Sequence, residues 1–259
     1  MKHQFVFMIH VGEITNLVEH CVASLRRNNQ NCSINLFTVP EDTLGLEKIT
    51  RYGVTLYSVE KTQWDGRRMT CKIEKFCDFV NSKDIPEGSE IIISDTDIVF
   101  QDDPFSVFDN KFDIFYTTRG YDYKYTINAG FWGIKKNSNS VSFVDYFVKE
   151  INDPSWKEFQ DFRAKEQRLE PPAIENYVDW WSDQDFLCVI NDKGMPPALN
   201  DVSVYDAGNR YNYCPNTDTS LGPQPAINDM ANKIGNKEYV VLHFKGRELK
   251  AWHNTMVNR

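Results

Sequence analysis

No apolar run in this sequence is long enough to cross a membrane. The longest uninterrupted stretches, such as Phe5 to Ile9 and Tyr239 to Leu242, fall far short of the ~18 residues a spanning helix requires. Paired cysteine spacings are also missing. The six cysteines, at positions 21, 32, 71, 77, 188 and 214, form no Cys-x-x-Cys pair and have no histidine at finger spacing. That argues against a zinc finger or a thioredoxin-type motif and predicts reduced, buried thiols. Positive charge is scarce too: 29 Lys+Arg stand against 37 Asp+Glu, a net charge of −8, which argues against a nucleic-acid binder relying on a basic face. The amino terminus runs Met1-Lys2-His3-Gln4 straight into an apolar stretch without a signal-peptide core or cleavage site. The expectation is a soluble, cytoplasmic protein starting near Met1.

What is present suits a packed interior. With 41% hydrophobic and 14% aromatic residues, disorder is excluded. A chain of 259 residues can bury roughly 70–75% of its unfolded surface without disulfides. No internal repeat, low-complexity tract or linker marks a boundary, so one domain over 1–259 is expected.

The first hundred residues alternate between two periods. Phe5 to Ile9 reads as a strand covered on both faces, and Ile14, Leu17, Val18, Cys21, Val22 and Leu25 recur as one face of an amphipathic helix. Ser33 to Val39 predicts a second strand, Leu44 to Tyr52 a short helix closed by Gly53, Val54 to Val59 a third strand, and Met69 to Val80 a helix. Ile91-Ile92-Ile93-Ser94 follows as another buried strand. This order implies an α/β fold with a mostly parallel sheet and right-handed crossovers. Further on, Phe112 to Thr117 and Asn128 to Ile134 read as strands, and Val141 to Glu150 and Asp183 to Ile190 as helices. The long segment from Asp206 to Pro225, rich in Tyr, Asn, Asp and Pro, reads as ordered loop around a site.

Two strings carry chemistry. Ile91-Ile92-Ile93-Ser94 runs into Asp95-Thr96-Asp97, and a two-residue pleat puts both carboxylates on one side at the carboxyl end of a strand, where open parallel sheets bind ligands. Two such carboxylates repel each other, and a divalent cation relieves the repulsion. Near the other end, Tyr239 to Leu242 delivers His243-Phe244-Lys245-Gly246-Arg247, followed by Lys250 and Trp252. One imidazole leaves an apolar strand, Gly246 permits close backbone approach, and Lys245, Arg247 and Lys250 crowd into six residues, a cluster suited to a diphosphate. Asp95, Asp97 and His243 together make a coherent Mn²⁺ or Mg²⁺ site, the imidazole favouring Mn²⁺.

Asp95-Thr96-Asp97, Asn128-Ala129-Gly130, Asp183-Gln184-Asp185 and the His243 to Trp252 segment resemble, in that order, the metal-dependent retaining glycosyltransferases of the GT-A fold, most of all the glycogenin and bacterial galactosyltransferase group, glycosyltransferase family 8. The resemblance implies a single GT-A domain, with residues 1 to about 100 binding the nucleotide-sugar and the remainder supplying the acceptor half and a carboxyl-terminal metal and phosphate segment. It implies Asp95, Asp97 and His243 as metal ligands, with Thr96 and Gly246 in the same donor site. His10 and Val11 would lie by the nucleotide base, and Lys72 by the donor phosphate and sugar. Asn128 and an Asp183-Gln184-Asp185 turn would surround the transferred sugar, and Lys250 would hold the diphosphate. The sequence departs from the pattern twice: one extra residue separates Gly246 from Lys250, and Ala251 stands where proline normally precedes tryptophan. Lys245 or Arg247 is therefore an alternative phosphate ligand.

The implied activity is transfer of a hexose from a UDP-sugar, glucose first and galactose second, to a carbohydrate or other hydroxyl acceptor. Two other readings compete. Asp95 after an apolar strand also resembles the nucleophile of haloacid-dehalogenase-type phosphatases, and a noncatalytic sugar-nucleotide binder would keep the same motifs. Trp180-Trp181 and Tyr121, Tyr123 and Tyr125 are candidates for stacking on sugar rings or for ordinary packing. Arg67-Arg68 reads first as a solvated helix start and second as a phosphate contact.

Overall fold

A computed structural model describes residues 2–120, 126–166, 173–215 and 222–256. The first part of the chain runs β1 (Gln4–Ile9), α1 (Asn16–Asn28), β2 (Ser33–Thr38), α2 (Glu47–Thr50), β3 (Val54–Ser58), α3 (Lys61–Trp64), α4 (Arg68–Asn81), β4 (Glu90–Ser94) and β5 (Ile98–Phe100). It continues through β6 (Ile114–Tyr116), β7 (Phe131–Lys135), α5 (Ser138–Ile151), α6 (Pro154–Glu166), α7 (Ala173–Lys193), β8 (Val204–Asp206), α8 (Gln224–Lys233), β9 (Val241–His243) and α9 (Arg247–Met256).

Seven strands form the central sheet in the order β3-β2-β1-β4-β7-β6-β8. Every neighbouring pair is parallel except those made by β7, which runs against both β4 and β6. The apolar runs of β1 and β4 follow from helices covering both faces. Phe7, Ile91, Ile93 and Trp132 pack toward α4, α5 and α7, while Val6, Met8, Ile92 and Phe131 share a second cluster with the apolar face of α1. Each such side chain removed from water contributes about 1.5–3 kcal/mol. Thr15 caps α1 by accepting a hydrogen bond from the Val18 amide. All six cysteines are free thiols, and five are buried.

The β4–β7 pairing places the functional residues. Ser94 stands opposite Phe131, so the next amide, Asp95, bonds the Gly130 carbonyl at 2.8 Å. One strand pair lies apart from the central sheet: β5 runs antiparallel to β9, with Ile98 opposite His243, and the Phe244 amide bonds the Asp97 carbonyl at 2.8 Å. The apolar run ending at Leu242 is thus a buried strand, but it does not join the main sheet. This small ribbon brings residues about 145 positions apart into one corner.

Two local expectations need correction. Asp183, Gln184 and Asp185 do not form a turn; they lie inside the 21-residue helix α7, where successive side chains diverge around the axis. Asp95 to Asp97 do not continue the pleat of β4, because the strand ends at Ser94 and the chain bends through Thr96 and Asp97. Helices α6, α8 and α9 and strands β5 and β8 lie in stretches that the sequence pattern left unassigned. No described helix is long and apolar enough to cross a membrane.

Candidate functional site

A cavity of about 700 Å³ opens where β1 and β4 end, bounded by the start of α1, by α4, by α7 and by α9. This is the carboxyl edge of parallel strands, where an open sheet leaves a crevice. His10 and Val11 line it just beyond β1. The His10 ring is fixed at both nitrogens: Nε2 donates to the Glu13 carbonyl at 3.0 Å, and Nδ1 accepts from the Thr96 hydroxyl at 2.8 Å. Burial lowers the pKa of His10, in keeping with this neutral form.

Asp95, Asp97 and His243 meet on the cavity floor, their ligand atoms all within 4.8 Å of one another. His243 Nε2 lies 3.1 Å from Asp97 Oδ1 and 3.8 Å from Asp95 Oδ2. The outer oxygen of each carboxylate is held by a lysine: Lys72 Nζ lies 2.8 Å from Asp95 Oδ1, and Lys250 Nζ lies 2.5 Å from Asp97 Oδ2. Two oxygens and one imidazole nitrogen are therefore turned inward together. Burial pushes the Asp97 carboxyl up, but His243 and Lys250 outweigh it and hold the group well below the usual carboxylate range.

This donor set fits a divalent cation. Adjacent ligands of an octahedral ion with ~2.1 Å bonds are roughly 3 Å apart, close to the spacing of His243 and Asp97. Gly130 keeps the space open, since a Cβ there would lie 2.3 Å from His243 Cε1 and 2.7 Å from Asp95 Oδ2. The glycine serves close approach here and not an unusual backbone angle.

Lys72, only 2% exposed, also bonds Asp183 Oδ2 at 3.1 Å. One buried ammonium on α4 thus joins the Asp-x-Asp bend to α7. Burial would lower its pKa, but the two carboxylates outweigh this and raise it, so it remains charged. Asp183 is pushed up by burial and by Asp95, against the pull of Lys72. Gln184 donates to the Ile127 carbonyl at 2.5 Å and lines the cavity beside Asp183.

The other expected residues divide. Asp185 does not line the cavity; it is buried against Gln160 of α6, whose amide lies 3.4 Å away, because the helix turns it from Asp183. Asn128 lies behind the floor, with Nδ2 3.2 Å from His243 Nδ1. Lys245 and Lys250 line the cavity, and Arg247 does not. Lys245 makes no ion pair among the described residues; its ammonium sits 5.2 Å from the Trp181 ring. Burial, then the charge of Arg119, lowers its pKa. Gly246, at φ +89°, makes the turn from His243 into α9 that only a glycine enters easily. Trp180 and Trp181 line the outer wall, Trp180 half exposed with the Arg68 guanidinium 4.9 Å from its ring. Arg68 opens α4, as expected, and also pairs with Asp179. Tyr121, Tyr123 and Tyr125 lie outside the described residues. Sequence reasoning missed Trp64, Met69 and Asn254 on the cavity wall and Asn212 behind His243.

Residues 85–171, about a third of the chain, match the family model of a nucleotide-diphospho-sugar transferase. A search of curated proteins found no match. Among solved structures, the chain is similar to the galactosyltransferase LgtC in complex with donor and acceptor sugar analogs, at TM-score 0.52 and 13% identity, covering 98% of this chain and 94% of that one. It is similar also to the apo-form glycosyltransferase GlyE of Streptococcus pneumoniae TIGR4, at TM-score 0.52 and 14% identity, covering 95% of this chain and 55% of that one. The chain thus spans about half the length of GlyE. The sheet order and these likenesses identify the fold as that of the GT-A glycosyltransferases.

Proposed function

We propose that this protein transfers a hexose from a UDP-sugar, UDP-glucose before UDP-galactose, to the hydroxyl of a carbohydrate acceptor, with retention at the anomeric carbon. The observation that carries the reading is the convergence of Asp95 Oδ2, Asp97 Oδ1 and His243 Nε2 on the floor of a cavity that also holds three lysines. The family model over residues 85–171 and the GT-A fold support it.

In this reading Asp95, Asp97 and His243 hold Mn²⁺ or Mg²⁺, which would neutralise charge on the departing diphosphate. Lys245 and Lys250 face the same phosphates. Lys245 is the more available of the two, because Lys250 is already paired with Asp97. His10, Val11 and Thr96 border the nucleotide, with His10 kept neutral so that it adds no competing charge. Asp183 and Gln184 face the sugar. The Asp183 carboxylate, positioned by Lys72, stabilises positive charge as it develops on the anomeric carbon. Asn128 and Asp185 act from behind, supporting His243 and packing α7 against α6 respectively.

Thermal-shift titration of the full chain with UDP-glucose, with and without Mn²⁺, followed by a UDP-release assay, tests the reading. A Mn²⁺-dependent shift with UDP release supports it. Binding without release under any acceptor condition would favour a noncatalytic binder, and phosphate release from small phosphomonoesters alone would favour the phosphatase.

A further inference from the structure

His243 has two faces, and the one turned away from the cavity holds information about the one turned toward it. Its ring is 1% exposed, and behind it lies Asn212, also 1% exposed, in the loop between β8 and α8. Asn212 Oδ1 lies 3.1 Å from His243 Nδ1. The other end of the same amide settles its orientation. Asn212 Nδ2 lies 2.9 Å from Thr117 Oγ1 and 3.1 Å from the Asn128 carbonyl oxygen. A backbone carbonyl only accepts, so the nitrogen must point there. Thr117 donates its proton to the Phe131 carbonyl at 2.9 Å or the Asn128 carbonyl at 3.1 Å, which leaves its oxygen to accept from Asn212. The amide oxygen is thereby committed to His243.

An oxygen facing Nδ1 requires the proton on Nδ1; the Asp97 oxygen 3.1 Å from Nε2 makes the same demand on that nitrogen until a cation takes the proton's place, and Nδ1 then keeps the one that remains. The neighbouring Asn128 amide presents the opposite demand, with Nδ2 3.2 Å from Nδ1, but its orientation rests on a single 3.4 Å contact from the Gly130 amide to Oδ1. Of the two amides, Asn212 is the one anchored by two acceptors, and Asn128 yields. We propose that Asn212 is a positioning residue that keeps a proton on Nδ1 of His243 and so leaves Nε2, the nitrogen facing Asp95 and Asp97, to give its lone pair to a cation. A neutral imidazole in this form is a ligand; in the other it would aim an N–H at the place where a cation binds. The inference rests on the metal reading above and adds to it the group that decides the tautomer. The chain has placed this group 31 residues before the histidine, on a different element.

Mn²⁺ binding to the full chain without nucleotide, read from the free-ion electron paramagnetic resonance signal, tests this directly. Asn212→Leu keeps the volume and removes the acceptor, and its Mn²⁺ affinity should fall about 10–100-fold. A readout independent of folding comes from the ¹⁵N-labelled imidazole spectrum of the unmutated protein loaded with Mg²⁺, which should show His243 protonated at Nδ1. Two results would each overturn the proposal: Asn212→Leu binding Mn²⁺ as tightly as wild type, or a proton on Nε2 in the Mg²⁺-loaded protein. Failure of the wild-type protein to bind Mn²⁺ at all would instead remove the metal site itself, and this proposal with it.

Discussion

On the floor of the cavity, Asp95, Asp97, His243, Lys72 and Lys250 hold one another at ion-pair distances, brought together from the bend after β4, from β9, from α4 and from α9. On the outer wall, α7 presents Trp180 half exposed and Trp181 beneath the Lys245 ammonium. The floor is made of groups that are unfavourable when buried alone, so each depends on its neighbours. The wall is made of rings that are stable by themselves and offer flat apolar surface. A charged diphosphate and a metal suit the first environment, and the less polar face of a pyranose suits the second.

That contrast predicts a descending series of effects. Lys72→Met should be the most damaging, because it leaves Asp95 and Asp183 facing each other without their shared cation; a loss of about 3–5 kcal/mol is expected from denaturant unfolding. Unchanged stability would mean the floor is no more interdependent than the wall. Asp97→Ala removes an inward oxygen and the partner of Lys250, and UDP release should fall about 10²–10³-fold while the protein stays folded.

Gly130→Ala sharpens the point, since it adds one methyl and alters no charge. That methyl would press on the His243 ring and Asp95, and Mn²⁺ affinity should drop on the order of 10-fold, measured by free-ion titration.

The seating of the helix that carries Lys250 to the floor is also testable by pH. Helix α9 carries Lys250 to the floor and docks on α1 through His253, whose Nε2 is 2.9 Å from His20 Nδ1. Burial, then the charge of His20, lowers the His253 pKa to about 4. The unfolded chain therefore binds more protons than the folded one between pH 6.5 and about 4, and stability is present above that window and lost as pH falls through it. Chemical denaturation across this range should show a decline that His253→Phe reduces by about 1–2 kcal/mol, the remainder coming from His20 and His10, whose pKa values burial also lowers. Trp180→Ala should be mildest: acceptor KM rises a few-fold, in line with ~0.5–1.5 kcal/mol for an aromatic contact, while UDP-glucose affinity is unchanged. A loss of donor binding instead would erase the division between floor and wall.

Much of the fold was legible because its first hundred residues obey simple periods. The strands at Phe5 and Ile91 and the helix faces at Leu17 and Met69 appear where the patterns place them, and the mostly parallel sheet follows. Asp95, Asp97 and His243 could be singled out because carboxylates and an imidazole at the ends of apolar strands are conspicuous. Other features left weaker traces. The α7 triplet sits in a helix whose apolar residues lie all around its axis, so the pattern did not reveal that Asp183 and Asp185 face apart. Strands of three residues, such as β5 and β8, are too short to show a period. Asn212 was visible only as part of an Asn- and Tyr-rich stretch read as ordered loop around a site.

The sequence by itself determined which chemical groups the protein can use: a pair of carboxylates, one imidazole leaving a strand, and a local excess of lysine in an acidic chain of net charge −8. Local periodicity and side-chain chemistry are properties of neighbours along the chain. Only the tertiary structure decided which groups share a site, that Lys72 bridges Asp95 and Asp183, that Gly130 must lack a side chain, and that Lys250 is held by Asp97 while Lys245 pairs with no carboxylate among the described residues. Those outcomes depend on the register of β4 with β7 and of β5 with β9, pairings between distant segments that no short stretch of sequence encodes.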